Sequence, residues 1–284
     1  MIVGRRSFSA GISAFLAGCA LDAKDGEAPK ETTAPLGAPD VDADADEGND
    51  AADGSSGPLQ IGMLLYPNFT AQDFVGPQLI FAGLGDVKLH VLWKDTKVVV
   101  SDSGLGIQAT TPLHACPKRL DILFIPGGHG TADAMLDREL VAFVAHRGRR
   151  ARYVTSVCTG SLLLGAAGLL CGYRAATHWA YRDILPILGA TPVSERVVRD
   201  RNRITGGGVT AGIDFALTIS AQLRGDDYAK LQELMFEYAP EPPFDTGTPE
   251  AAGPELTSRA RTLAAPGVER TRRAALAHAP HCRT

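Results

Sequence analysis

The sequence predicts an α/β domain with a mostly parallel sheet covered by helices on both faces, and three observations predict it. Short β-branched runs alternate along the chain with segments of helical length. Two of those runs, Ile122–Pro126 and Tyr153–Val157, carry apolar or small side chains at nearly every position, as strands buried on both faces do. Both runs end in small-residue turns, Gly127-Gly128 and Cys158-Thr159-Gly160, of the kind that return a chain from strand to helix.

Taken in order, Ile61–Tyr66 reads as the first strand, Ala71–Leu84 as a helix and Val87–Trp93 as the next strand. Val98–Val100 and Gly106–Ala109 read as a hairpin, Ile122–Pro126 as a central strand and Asp133–Arg149 as helical segments. The strand before Cys158 leads into a short helix. Arg174–Ala176, a helix over Trp179–Leu188, paired short strands within Arg196–Thr205, and helices over Thr210–Leu223 and Asp226–Tyr238 complete the domain. Ligands of such sheets bind beyond the carboxyl ends of the strands. Asp73, Gly128 and Cys158 each follow a predicted strand end, so they are expected to converge there.

Cys158 is the candidate nucleophile. A sharp strand-to-helix turn pushes one side chain out at the sheet edge, and the free N–H groups and dipole of the helix behind it favour thiolate over thiol. The competing reading is a small buried hydrophobe, the usual fate of a free cysteine. The glycine loop after Ile125 is placed to aim the Gly128 N–H at the same point, where with the Thr159 N–H it would form an oxyanion hole.

Four segments in this order carry a resemblance: Ile125-Pro126-Gly127-Gly128, Ser156-Val157-Cys158-Thr159-Gly160, Ala176-Thr177-His178-Trp179 and Thr205–Asp214. Together they resemble the ThiJ/PfpI superfamily, with its class I glutamine amidotransferase-like, flavodoxin-like sandwich fold. Tyr66–Pro77 and Pro242–Gly247 resemble the entry motif and carboxyl-terminal segment of its isonitrile hydratases. The resemblance spans roughly Ile61 to Pro249. It implies a route in which Cys158 attacks an isonitrile carbon to give a thioimidate, and Asp73 relays the proton and then activates water. It further implies that the Thr159 hydroxyl orients water or Asp73, that the substrate is a small molecule, and that the chain forms a homodimer. No cofactor is called for. Read without the family, Asp73 is a helix N-cap, and His178 is as much a packed, hydrogen-bonded histidine as a group approaching the site. Alternative readings are another cysteine hydrolase of the same fold (amidase, peptidase or aldehyde detoxification) and a non-enzymatic ligand- or redox-sensing domain. The first wants a histidine beside the sulfur, and Thr159 stands there instead.

The ends read differently from the domain. Arg5-Arg6, the apolar stretch Phe8–Ala17 and Leu16-Ala17-Gly18-Cys19 make residues 1–18 a lipoprotein-type signal peptide, with Cys19 the lipidated residue. The paired arginines leave twin-arginine and general export both open. Residues 19–58 are acidic and aperiodic, a disordered linker that would hold residues 59–249 off a bacterial envelope membrane, facing periplasm or exterior. Residues 250–284 read as an irregular basic tail, with a short helix over Glu269–His278 as the lesser alternative; its few aliphatic anchors cannot build a helix-turn-helix. The net charge of −4 gives no nucleic-acid footprint. The absence of C-x-x-C spacing leaves a zinc site unsupported, and Cys116 and Cys171 are read as structural.

Overall fold

The computed structural model describes Gly57–His278; the signal, lipidation and linker readings, Cys19 included, lie outside the described residues. The elements in chain order are β1 (Leu59–Leu64), α1 (Ala71–Ala82), β2 (Val87–Trp93), β3 (Val98–Val100), β4 (Gly106–Gln108), β5 (Thr111–Pro112), β6 (Ile122–Ile125), α2 (Thr131–Leu136) and α3 (Arg138–Arg150). There follow β7 (Tyr153–Val157), α4 (Gly160–Ala166), β8 (Arg174–Ala175), a 3₁₀ segment (Trp179–Leu188), β9 (Thr191–Pro192), β10 (Val197–Asp200), β11 (Arg203–Gly206), α5 (Ala211–Arg224), α6 (Asp226–Met235) and α7 (Pro249–Leu276).

Seven strands form the main sheet in the order β10-β11-β7-β6-β1-β2-β5, all parallel except the antiparallel edge pair β10–β11. Every residue of β6 and β7 is buried, which is why those runs show no polar alternation. Phe81 of α1, Phe124 of β6 and Phe215 of α5 meet with ring centroids 5.7–6.3 Å apart and tie that helical face to the sheet. The strand order reverses between β1 and β6. The crevice at such a switch point is where the loops after β1, β6 and β7 come together.

One element departs from the sequence reading, while the helical segments expected after β6 are found as two helices. The helical stretch after β6 is divided at Asp137, whose carboxylate accepts the Leu140 N–H at 3.2 Å and so starts α3 afresh. The tail read as irregular is helical from Pro249 to Leu276, with a break at Gly253 (φ 75°). Thr248 caps it by accepting the Ala251 N–H at 3.2 Å. Its buried face is made of Thr271, Ala274 and Ala275, while Leu263 is 84% exposed. Small residues let the helix lie close against α2 and the 3₁₀ segment, so a search for aliphatic anchors finds nothing.

Candidate active site

Cys158 sits at the turn from β7 into α4 with φ 56°, a left-handed conformation that a β-carbon residue adopts only when its surroundings enforce it. Its N–H donates to the carbonyls of Gly206 and Gly207 (3.2 and 2.7 Å), and its carbonyl accepts from the Thr177 and Ser161 hydroxyls (2.9 and 3.2 Å). Close approach explains two glycines around it. A Cβ on Gly127 would lie 2.5 Å from Thr159 N, and one on Gly160 would lie 2.3 Å from Ile125 O.

The expected thiolate is not what this environment favours. Burial, and after it the neighbouring Asp73, push the Cys158 thiol well above the usual thiol range; N–H groups of Thr159 and Val209 pull only weakly the other way. α4 is a seven-residue helix with every position buried, so desolvation outweighs its dipole. The resting group is a thiol.

Asp73 lies in the first turn of α1 but caps nothing there: its Oδ2 accepts the Gly127 N–H at 2.9 Å, across the crevice. It is fully buried, and Oδ1 has no conventional hydrogen-bond partner. Burial raises the carboxyl to about 7, opposed by the Gly127 N–H and the Cys158 thiol and reinforced by Asp102. Asp102, from the β3–β4 hairpin, holds the head of α1 by accepting the Thr70 hydroxyl at 2.5 Å. Asp73 and Cys158 thus form one buried acid pair, as their predicted strand-end positions require.

Thr159 and Gly128 are also in place, in an arrangement the sequence did not suggest. The Gly128 N–H donates to Thr159 Oγ1 at 3.0 Å and so is engaged within the protein, not left free for an oxyanion. The Thr159 hydroxyl continues to Thr131 Oγ1 (2.7 Å), and Thr131 to Tyr66 Oη (3.1 Å), which itself donates to the Pro126 carbonyl at 2.7 Å. This hydroxyl chain fixes the glycine loop against the elbow. The N–H groups directed at the sulfur are those of Thr159 and Val209. Tyr66 and Thr131 were missed because a lone hydroxyl residue carries no spacing signal.

His178 begins the 3₁₀ segment. Its Nδ1 accepts the Ala180 N–H at 3.3 Å, its ring packs on Trp179 and Tyr181, and burial keeps it neutral by lowering its pKa. It is a packed, hydrogen-bonded residue that also lines a cleft of about 380 Å³ with Thr177, Arg196, Gly208, Val209 and Thr210. Asp214 serves structure: it accepts from Arg196 at 2.7 and 2.9 Å and from Tyr238 Oη at 2.9 Å, fastening α5 to the residues flanking β10 and α6.

With this geometry in hand, the comparisons are specific. The model of the DJ-1/PfpI family matches residues 60–222. An isonitrile hydratase of Pseudomonas putida is 53% identical over 211 residues, covering 74% of this chain and 92% of that protein. The transcriptional regulator GbdR of Pseudomonas aeruginosa is 32% identical over 192 residues, 64% of this chain and 51% of the regulator. Among solved structures, a THiJ/PfpI family protein from Pseudomonas syringae is 48% identical with a TM-score of 0.76, covering 77% of this chain and 91% of that one.

Proposed function

Because the chain belongs to the DJ-1/PfpI family, we propose that it is a lyase that hydrates isonitriles to N-substituted formamides through Cys158. The observation that carries the proposal is the buried pairing of a protonated thiol with a carboxyl poised near neutrality, together with the likeness to the Pseudomonas putida enzyme.

An isonitrile carbon must gain both a proton and a nucleophile. A thiol beside a carboxylate supplies the two together. Asp73 takes the Cys158 proton as sulfur bonds to the isonitrile carbon, and then delivers that proton to the same carbon. The product is a thioimidate with carbon–nitrogen double-bond character. Asp73, again a carboxylate, removes a proton from the incoming water as its oxygen adds to the carbon, and passes that proton to the nitrogen. The carbon–sulfur bond then breaks as the formamide carbonyl forms, and the remaining hydroxyl proton passes through Asp73 to the departing sulfur, restoring the thiol. A carboxyl titrating near 7 suits both halves, because it accepts and returns protons at neutral pH with little bias. Thr159 and Val209 N–H groups support negative charge on sulfur as it develops. The Thr159 hydroxyl and Gly128 act by holding the loop that carries the Asp73 partner Gly127. His178 takes no proton in this route and serves as cleft wall.

We propose in addition that residues 1–18 direct export, that Cys19 is lipidated, that residues 19–58 tether the domain and that two copies associate. The motif Leu16-Ala17-Gly18-Cys19 supports the anchor, and the family supports the dimer.

Incubation with cyclohexyl isocyanide tests the activity. Stoichiometric N-cyclohexylformamide, absent with Cys158→Ala, is the expected result; formamide produced equally by the variant would refute it.

A further inference from the structure

Thr70 and Asp73 stand at the start of α1 with the spacing of a capping box, in which each side chain accepts the other's backbone N–H. Neither bond is made. The Thr70 side chain caps nothing. The Asp73 N–H donates instead to the Thr70 carbonyl at 3.1 Å, and the Thr70 N–H to the Gly127 carbonyl at 2.8 Å. Gly127 returns its own N–H to Asp73 Oδ2 at 2.9 Å. The Gly127 peptide groups are thus inserted into the box, one taking the N–H that the Asp73 carboxylate would have accepted and the other engaging that carboxylate. Gly127 in turn lies against the elbow, where a Cβ on it would fall 2.8 Å from Cys158 Cβ. A carboxylate bonded to the Gly127 N–H is therefore held beside Cys158, and one turned back to cap α1 would be withdrawn from it.

The box is held open from the other side of the same loop. The Thr70 hydroxyl, the group that would accept the Asp73 N–H, donates to Asp102 Oδ2 at 2.5 Å. Asp102 belongs to the turn of the β3–β4 hairpin, which forms a two-stranded sheet of its own. That turn is braced internally: the Ser101 N–H donates to the Leu105 carbonyl at 2.8 Å, and the Leu105 N–H to the Ser101 hydroxyl at 3.0 Å. Two backbone bonds seat the hairpin on the loop after β1, from the Asp102 N–H to the Phe69 carbonyl and from the Asn68 N–H to the Val100 carbonyl, both at 2.9 Å. On its far side the loop grips the glycine turn, with the Gly130 N–H donating to the Asn68 carbonyl at 3.0 Å and Phe69 bridged to Gly128. The hairpin turn, Thr70, Gly127 and Asp73 are therefore linked in series by hydrogen bonds.

We propose that Thr70 and Asp102 are positioning residues: by accepting the Thr70 hydroxyl, Asp102 keeps the capping box open, so that Gly127 stays inserted and the Asp73 carboxylate stays beside Cys158. The inference rests on the hydratase reading, in which Asp73 moves the protons, and deepens it by naming what holds Asp73 in place. Neither Thr70 nor Asp102 exchanges a proton with the substrate in this account; both act through Asp73.

The test follows backbone amides of the full chain by NMR, alongside turnover of cyclohexyl isocyanide. Asp102→Ala and Thr70→Val should each speed solvent exchange of the Gly127 amide about tenfold or more while the amides of β6 and β7 keep their protection. Both should lower kcat about a hundredfold with KM changed by less than about twofold. Asp102→Asn and Thr70→Ser, which keep the hydrogen bond, should restore both readouts. Wild-type protection of Gly127 in Asp102→Ala and Thr70→Val would overturn the proposal, and so would equal loosening of β6 and β7, the mark of a merely structural role. Since amide exchange needs no turnover, a freed Gly127 in a chain whose wild type makes no formamide would retain the positioning role and reject the hydratase reading. Formamide made by both variants at the wild-type rate would do the reverse.

Discussion

The Asp73 carboxyl and the Cys158 thiol, one from the first turn of α1 and the other from the turn after β7, occupy a single buried site in which burial disfavours ionisation of both, Asp73 further disfavours that of Cys158, and the thiol in turn favours that of Asp73. Neither group is reactive as it stands: the thiol is a weak nucleophile and the carboxyl is more than half protonated below about pH 7. In the proposed route, proton transfer between them is what activates the pair.

The first prediction concerns pH. Asp73 must be ionised to accept the thiol proton, so kcat/KM should rise with pH through about 7 and level off above it. Asp73→Asn should lose at least about a thousandfold in rate and show no such rise. A wild-type profile flat between pH 5 and pH 9 would contradict the assignment.

Stability should respond in the opposite direction. The folded-state pKa of Asp73, about 7, exceeds the unfolded value of 3.8. Its favourable contribution is therefore complete below 3.8 and is lost as pH rises through 7. Above that range the buried carboxylate costs on the order of a few kcal/mol. Asp73→Asn keeps an oxygen to accept the Gly127 N–H. It should melt at a higher temperature than wild type at pH 8, with the difference shrinking toward pH 5, as scanning calorimetry at the two values would show.

The hydroxyl chain makes a separate claim. Thr159→Val strands the Gly128 N–H and removes a partner of Thr131, so it should cost about 1–2 kcal/mol. Thr159→Ser keeps the hydroxyl and should recover most of that loss. Denaturant midpoints of the two variants decide it; equal destabilisation would leave the hydroxyl without a role.

Much of this site was legible in the sequence because a nucleophile elbow and a glycine loop are local patterns. Cys158, Gly128 and Asp73 follow strand ends, and parallel topology brings strand ends together. What could not be read was three-dimensional balance. Helix-dipole reasoning makes Cys158 a thiolate, whereas burial on all sides keeps it protonated. A backbone N–H counted as free, that of Gly128, is engaged by a hydroxyl one strand away. α7 was missed because its buried face is Thr271, Ala274 and Ala275, residues that give no amphipathic signal.

The most direct test of the account is mass spectrometry of the chain quenched in acid during turnover of cyclohexyl isocyanide. Sulfur bonding to the isonitrile carbon predicts a species heavier by one intact isonitrile, located on the Cys158 peptide, absent from Cys158→Ala and formed far more slowly in Asp73→Asn, which lacks the base that takes the thiol proton. Formamide release with no adduct at Cys158 under any quench time, or an adduct found only at Cys116, would contradict covalent catalysis by Cys158.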